Sequence, residues 1–492
     1  MAAEQTGANG PAEKSQLFAG YKINPAFYDE MFDATGAPRE HCRELWKVLR
    51  AIPHEEITTM QERVERSFLN EGITFSVYGE EGAQDHIIPI DIIPRLIAAA
   101  EWESLEKGLH QRIQALNLFL ADIYGPERII NDGVIPPDMV RGCPQFRNAM
   151  RGVEVAHGIH VSVCGTDLVR SHDGFMVLED NLRVPSGVSY MLANRAAIKT
   201  TLRDVFRRQK VRNIDGYGRL LRQTLAELSP HGDADPTIVL LTPGIYNSAF
   251  YEHMFLAREM GVELVTGNDL VASNGFVYMR TTAGLRRVDV IYRRIDDDFL
   301  DPLVFRPDSQ LGTPGLFDAY RLGNVAIANA PGTGVADDKS MYAYVPEMIR
   351  YYLDEEPLLA NVETHLCRDP EALEYTLDNL DNLVIKEVGG SGGYGMLIGP
   401  HATTEERNAF ARKINASPEN YISQPVLDLS CAPCLTDDDA APRHVDLRPF
   451  VLCGREIRLV PGAFCRVALT AGSLVVNSSQ GGGGKDFWVL SE

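Results

Sequence analysis

Basic residues are in short supply. The 492-residue chain carries 47 Lys and Arg against 68 Asp and Glu, a formal charge of −21. A surface of that sign repels phosphate backbones and anionic lipid headgroups, so neither nucleic acid nor a membrane is expected as a partner. Apolar runs are short too, and none approaches the roughly 18 residues needed to span a bilayer. The 8 cysteines are scattered, too sparse for a disulfide framework, and they form one CxxC pair, Cys431 and Cys434, where a zinc site needs two. The opening residues, MAAEQTGANGPAEKSQ, lack the basic-then-apolar pattern of a secretion signal and read as a disordered tail over 1–16. No repeat recurs at a fixed period. What remains, 45% hydrophobic and 23% charged residues, is the composition of an ordinary globular protein, expected to be cytoplasmic and long enough for about three domain-sized units.

Hydrophobic periodicity predicts one dominant helix, from about Arg95 to Tyr124. Leu105, Leu109, Leu116, Leu120 and Ile123 recur there at three- and four-residue steps, and Gly125-Pro126 ends it. From His157 the pattern turns to strands, and VSVCGTDLV and FMVLEDNLRV flank Ser171-His172-Asp173-Gly174, a hairpin signal. A charged helix near 195–228 and a polar break follow. The strand TIVLLT, a helix from Ser248 to Met260, a strand at Val262–Val265 and a hairpin over 276–292 then read as an α/β unit with some parallel sheet. Beyond helices around 338–353 and 369–380, the chain is β-rich. The expected fold class is α/β or α+β. A helical region and part of one lobe occupy 17–230, an α/β unit 231–330, and a second lobe 331–492.

The stretch LVIKEVGGSGGYGMLIGP, residues 383–400, satisfies several glycine patterns at once. Gly390, Gly392 and Gly395 fit GxGxxG, while Gly389, Ser391 and Gly393 fit GxSxG. Both patterns require a helix straight after the glycines. Here Met396-Leu397-Ile398 follows and Gly399-Pro400 closes it, which leaves strand, glycine loop, strand. That is the layout of a flexible hairpin over nucleotide phosphates, because backbone N–H groups without Cβ atoms approach anionic oxygens closely. Lys386 on the incoming strand supplies a phosphate-pairing charge. The competing reading is a mobile glycine turn beside a surface lysine. A Walker A loop is excluded, since no Gly-Lys-Ser/Thr follows.

A second constellation is Asp167, Glu179 and Asn181. If the hairpin loop is His172-Asp173-Gly174 with Gly174 left-handed, Asp167 stands directly opposite Glu179. Glu179 and Asn181 share one face of their strand. Two carboxylates and an amide oxygen are the hard ligands Mg²⁺ takes. The alternative leaves Glu179 and Asp180 as solvated edge charges. The next turn, Pro185-Ser186-Gly187, either offers N–H groups to an anion or ends the strand.

Together these motifs resemble the ATP-grasp superfamily of carboxylate–amine ligases. The acidic set precedes the glycine hairpin, the reverse of the usual order, and that inversion resembles the circularly permuted ATP-grasp family, which includes relatives of glutathionylspermidine synthetase. PRLIAAAEWESLEKGLHQRIQALNLFLADIYG, LEDNLRVPSGVSYML and VIKEVGGSGGYGMLIGP are family-like blocks, and the likeness runs from about residue 72 to 490. The resemblance implies ATP-grasp lobes with a Rossmann-like unit before them, and a ligase using ATP and Mg²⁺ on small-molecule or peptide carboxylates and amines. It implies that Lys386 touches the α-phosphate, that Gly389, Gly390, Ser391, Gly392, Gly393, Tyr394 and Gly395 cover the β- and γ-phosphates, and that Lys339 is a second ATP-contacting lysine. Gln424, Pro425 and Val426 match the strand whose backbone reads adenine. Asp167, Glu179 and Asn181 match the metal set, and Arg448 and Arg466 the contacts to the transferring phosphate. A permutation joins the old termini, so the C-terminal glycine-rich stretch is expected near the start of the 160s strand.

Bland readings stand beside these: Lys339 as a helix-terminal charge, and Arg448 and Arg466 as surface ion pairs. Other readings of function are a kinase using the same grip, a catalytically idle scaffold that binds peptides, and a hydrolase built on Ser391. Arg293 and Arg294 read as candidates to face a substrate carboxylate, Asp296–Asp298 as a solvated loop, and His157 and His160 as locally hydrogen-bonded. No motif encodes the substrates, the oligomeric state, or a role for Asn477 and Gly481–Gly484.

Overall fold

The computed structural model describes residues 17–76, 85–390, 395–476 and 482–492. In chain order, the elements that position the site begin with strand β1 (Ile90–Ile97), helix α1 (Ala99–Ile123), strands β2 (Val163–Ser171) and β3 (Gly174–Asn181), and helix α2 (Val188–Thr201). Next come strand β4 (Ile238–Leu241), helix α3 (Phe250–Met260), and strands β5 (Glu263–Val265), β6 (Val290–Arg293) and β7 (Ala326–Ala328). Helices α4 (Lys339–Tyr342) and α5 (Val345–Leu353) precede strands β8 (Ala360–Asn361) and β9 (His365–Leu366) and helix α6 (Pro370–Asp378). The glycine hairpin joins β10 (Leu383–Glu387) to β11 (Met396–Ile398), followed by helix α7 (Thr404–Ala416) and strands β12 (Tyr421–Pro425), β13 (Arg448–Cys453), β14 (Ile457–Val467) and β15 (Gly483–Val489).

Among the described residues, three sheets organise this mixed α/β fold. The largest is seven-stranded, in the order β8-β3-β2-β13-β14-β15-β1. Its members come from both ends of the chain, and two strands, β13 and β14, separate β15 from β2. Strands β7-β6-β4-β5 form a parallel sheet, as the 231–330 pattern predicts. The third sheet, β9-β12-β10-β11, is antiparallel and has its own small core of Cys367, Leu380, Leu383, Ile385, Leu397 and Ile414. Alternation explains that core: Leu383 and Ile385 are buried on one face of β10 while Lys386 lies on the other.

The dominant helix spans Ala99–Ile123. Its expected first residues, Arg95–Ile97, belong instead to β1, a strand buried along its whole length. Helical spacing at its end is thus a coincidence of a short, two-faced buried strand. The single charged helix expected over 195–228 is broken into Val188–Thr201, Arg203–Arg208 and Tyr217–Ala226. Among the described residues no helix is long and apolar enough to cross a membrane.

The β2–β3 hairpin reaches the expected facing pairs by another route. Its turn has two residues rather than three, pairing Ser171 with Gly174 and Leu168 with Val177. A register shift between Asp167 and Leu168 then adds one residue on β3, restoring Asp167 opposite Glu179 and Gly165 opposite Asn181. Gly174 does take positive φ, +114°.

Candidate functional site

On β10, Lys386 pairs with Ile422 of β12, and Val384 with Gln424. Lys386, Ile422 and Gln424 line one side of a cleft holding about 280 Å³ of empty space, counting space open to solvent. Lys339, at the first position of α4, enters the same cleft, as do Asp337 and Tyr342. From the other sheet, Leu178, Glu179 and Asp180 of β3 complete the lining. Residues separated by about half the chain therefore face one space. Burial pushes the Lys386 ammonium down to about 8, against the pull of Glu179 and with the Lys339 charge adding to the shift. Its charge is thus only weakly supported by the protein. Lys339 donates from Nζ to the Gly390 carbonyl, tying the glycine hairpin to α4.

The hairpin itself turns after Glu387, where Gly390 N donates to Glu387 O at 3.1 Å. Gly395 has φ +70° and its carbonyl receives Glu387 N at 3.2 Å. Strand β11 follows, not a helix, so the Rossmann and nucleophile-elbow patterns fail on structure as well as on sequence. Ser391, Gly392, Gly393 and Tyr394 lie outside the described residues. So do Asn477 and Gly481.

Asp167 is the pivot of the acidic side. It faces Glu179 across β3, and the bridge between Leu168 and Leu447 brings Arg448 to its other flank. Gly165 leaves room for the arginine stem, since a Cβ there would meet Arg448 Cδ at 3.3 Å and Pro185 Cβ at 3.2 Å. Arg448 binds Asp167 through Nε and, at 2.7 Å, through Nη2; it also donates to Ser186 O at 3.2 Å. Arg466 donates to Asp167 at 2.7 Å and holds Asp446 with Nε at 3.0 and 2.9 Å. Both arginines are therefore ion-pair partners of buried carboxylates, not surface pairs, with Arg466 buried and Arg448 partly buried. Burial alone would raise the Asp167 carboxyl, but the two guanidiniums outweigh it and hold it well below the usual range. Glu179 goes the other way. Burial and then the Asp167 charge raise it, only partly offset by Lys339 and Lys386. Asn181 Nδ2 donates to Gly165 O at 3.1 Å.

For Mg²⁺, the donor chemistry fits. Glu179, a carboxylate held in an environment that disfavours its charge, lines the cleft beside Asp167, and a hard cation would relieve that cost. No three His, Cys, Asp or Glu side chains gather for a metal among the described residues; of the expected set of two carboxylates and an amide, Asp167 is engaged by two arginines. Gln424 is buried and donates to Thr364 at 2.9 Å. Pro425 ends the same strand and Val426 follows it, and neither lines the cleft.

Other candidates fall away. Arg293 is fully buried on Asn329 O, Ile295 O and Asp297, and Arg294 on Pro185 O, Tyr292 and Glu252, so neither faces a substrate. Asp297 is not part of a solvated loop; it accepts from Gly332 N at 2.7 Å and pairs with Arg147 and Arg293. The N–H of Gly187 is not open to an anion, because the buried Glu252 takes it at 2.8 Å along with Ser189 N and Oγ. Asp180 is a buried partner of Arg112 at 2.7 Å, not an edge charge. His160 is buried and stacked on Tyr124, and its Nδ1 has no hydrogen-bond partner among the described residues. Cys431 and Cys434 are free and buried on a strand.

Sequence reasoning missed Asp337, which accepts from Leu182 N at 3.0 Å and pairs with Arg183 at 2.5 Å. The doublet before Lys339 in GVADDKSMY was its only signal. It also missed Asn329 and Asn117. Asn329 accepts from Ser162 N and Val163 N and donates to Val163 O and Leu182 O, at 2.7 to 2.9 Å. Asn117 accepts from His160 N and Val161 N at 2.9 Å. These two amides seat the start of β2, and no local pattern marks them.

The family described as circularly permuted ATP-grasp type 2 matches residues 94–468. An uncharacterised protein of Synechocystis sp. is 55% identical over 466 residues, covering 94% of this chain and 97% of its own. A Frankia casuarinae protein provisionally named glutamate–cysteine ligase 2-2 is 43% identical over 474 residues, 95% of this chain and 54% of its own length. Among solved structures, a glutathione synthetase-like effector from Globodera pallida shares the fold with a TM-score of 0.58 at 11% identity, covering 89% of this chain and 98% of that one.

Proposed function

The chain belongs to the circularly permuted ATP-grasp type 2 family, and on that premise we propose that it is an ATP- and Mg²⁺-dependent carboxylate–amine ligase working through an acyl phosphate. The observation that carries this reading is the single cleft lined by Lys386, Lys339 and Gln424 from one side and Glu179 from the other. A triphosphate needs cations along its length and hard oxygen ligands at its metal, and those are the groups present.

In this reading Lys386 and Lys339 neutralise the phosphates and the 389–395 hairpin covers them. The strand bearing Gln424 and Pro425, with Val426 just past its end, meets the base. Glu179, Asn181 and Asp167 would hold Mg²⁺, which when bound neutralises charge on the transferring phosphoryl group. Arg448, whose planar fork suits phosphate oxygens, would reach that group once freed from Asp167, while Arg466 stays paired with Asp446 beside it. A substrate carboxylate attacks the γ-phosphorus in line, releasing ADP. The amine then attacks the acyl carbon, and phosphate leaves as the amide forms. Covering the site excludes water, which would hydrolyse the intermediate. The Frankia relative, about half of whose length the chain covers, is named for glutamate and cysteine, which makes amino acids the first substrates to screen.

The test is product analysis with labelled ATP. The reading expects ADP and phosphate, released stoichiometrically with amide only when both a carboxylate and an amine are supplied. AMP and pyrophosphate refute it, and a stable phosphorylated product without amide replaces it with a kinase.

A further inference from the structure

Asp167 holds two arginines, and the two are not held alike. Arg466 has a second buried carboxylate, Asp446, bound by Nε at 3.0 and 2.9 Å. Among the described residues, Arg448 has one other hydrogen-bond partner, the Ser186 carbonyl at 3.2 Å. Arg448 Nε and Nη2 and Arg466 Nη2 together use three lone-pair positions on Asp167, of the roughly four a carboxylate offers. A divalent cation on the fourth would sit against a guanidinium of like charge in a buried setting, which is unfavourable. Yet Glu179 faces Asp167 from the adjacent strand and lines the cleft. The same side chain is thus wanted by an arginine and by a cation.

We propose that Arg448 is an exchangeable placeholder on Asp167: it neutralises this carboxylate in the empty enzyme, and a divalent cation arriving with nucleotide displaces it toward the phosphoryl oxygens, while Arg466 stays anchored by Asp446. This rests on the ligase reading for the nucleotide, and adds how the metal seat is kept and vacated. Metal alone binds weakly, because it must strand Arg448. Metal with nucleotide binds well, because the phosphates take the freed guanidinium. Cation and nucleotide are therefore positively coupled, each raising the other's affinity by the same factor.

The probe is Mn²⁺ alone, titrated by electron paramagnetic resonance against the full-length protein without nucleotide. Arg448→Gln is expected to bind Mn²⁺ roughly tenfold or more tightly than wild type, the scale of one charge-assisted contact removed. Adding Asp167→Asn to that variant is expected to abolish the gain. Equal or weaker Mn²⁺ affinity in Arg448→Gln overturns the exchange. Should circular dichroism show that variant unfolded, Arg448→Lys, which keeps the charge but cannot fork onto both oxygens, is expected to show a smaller gain, and no gain there overturns it equally. A wild-type protein that binds Mg·ATP while Arg448→Gln gains nothing sinks the exchange and leaves the ligase reading standing. A Mn²⁺ gain in a protein that binds no nucleotide upholds the competition of Arg448 and cation for Asp167, and overturns both its coupling to nucleotide and the ligase reading.

Discussion

On the ligase reading, Lys386 is expected to make nucleotide affinity a function of pH. Burial sets its ammonium at about 8, so in the empty protein it is charged below that pH and neutral above it. A polyphosphate beside it favours the charged form, so binding draws a proton onto the lysine whenever it was neutral. At pH 7 about a tenth of a proton is taken up per nucleotide, at pH 8 about half, and at pH 9 about nine tenths. Affinity falls correspondingly, by about tenfold between pH 7 and pH 9, or about 1.4 kcal/mol. Calorimetric titration with ATP in buffers of different ionisation enthalpy reads the proton count directly. Lys386→Arg is the control, since a guanidinium stays charged across this range and removes the dependence. Uptake near zero at pH 8 and 9 in the wild type, or the same uptake in Lys386→Arg, would refute the argument.

Three other expectations concern the frame around the site. Burial lowers His160 to about 4, below the roughly 6.5 of the unfolded chain, so the folded state binds fewer protons there and loses stability as pH falls from about 6.5 toward 4; at pH 5 the loss is roughly 2 kcal/mol. Denaturant unfolding at pH 7 and pH 5 should show a smaller acid loss in His160→Gln by about that amount, and an equal loss contradicts it. Arg112→Leu strands the buried Asp180 carboxylate and should cost about 3–5 kcal/mol, with Asp180→Leu added to it recovering part of the loss in the same assay. Gly187→Ala places a Cβ 2.8 Å from Phe464 at φ +117° and should destabilise by roughly 1–3 kcal/mol; an unchanged melting temperature would show that the turn relaxes freely.

How much of this was legible beforehand follows from what is local. Strand, glycine loop and strand are written in consecutive residues, and so is the alternation that places Lys386 opposite Leu383 and Ile385. The parallel sheet around TIVLLT was legible for the same reason, since a fully buried strand is a short apolar run bounded by polar turns. The facing of Asp167 and Glu179 was anticipated through a turn that does not occur, because a one-residue bulge compensates for a one-residue shorter loop. What the sequence hides is partner choice between distant segments. Nothing near Glu252 says that it fills the N–H groups of Gly187 and Ser189, and nothing near Arg294 says that Glu252 and Pro185 consume it. Buried charge can be satisfied internally or left for a ligand, and only the fold distinguishes these cases.

The central claim is that the two hairpins grip one magnesium–nucleotide complex. Calorimetry of Mg·ATP binding to wild type, Lys386→Ala and Glu179→Gln tests it most directly. The account predicts micromolar-range binding by the wild type, weakened by about tenfold or more in each variant. Binding that neither substitution weakens, or no binding by the wild type, would contradict it.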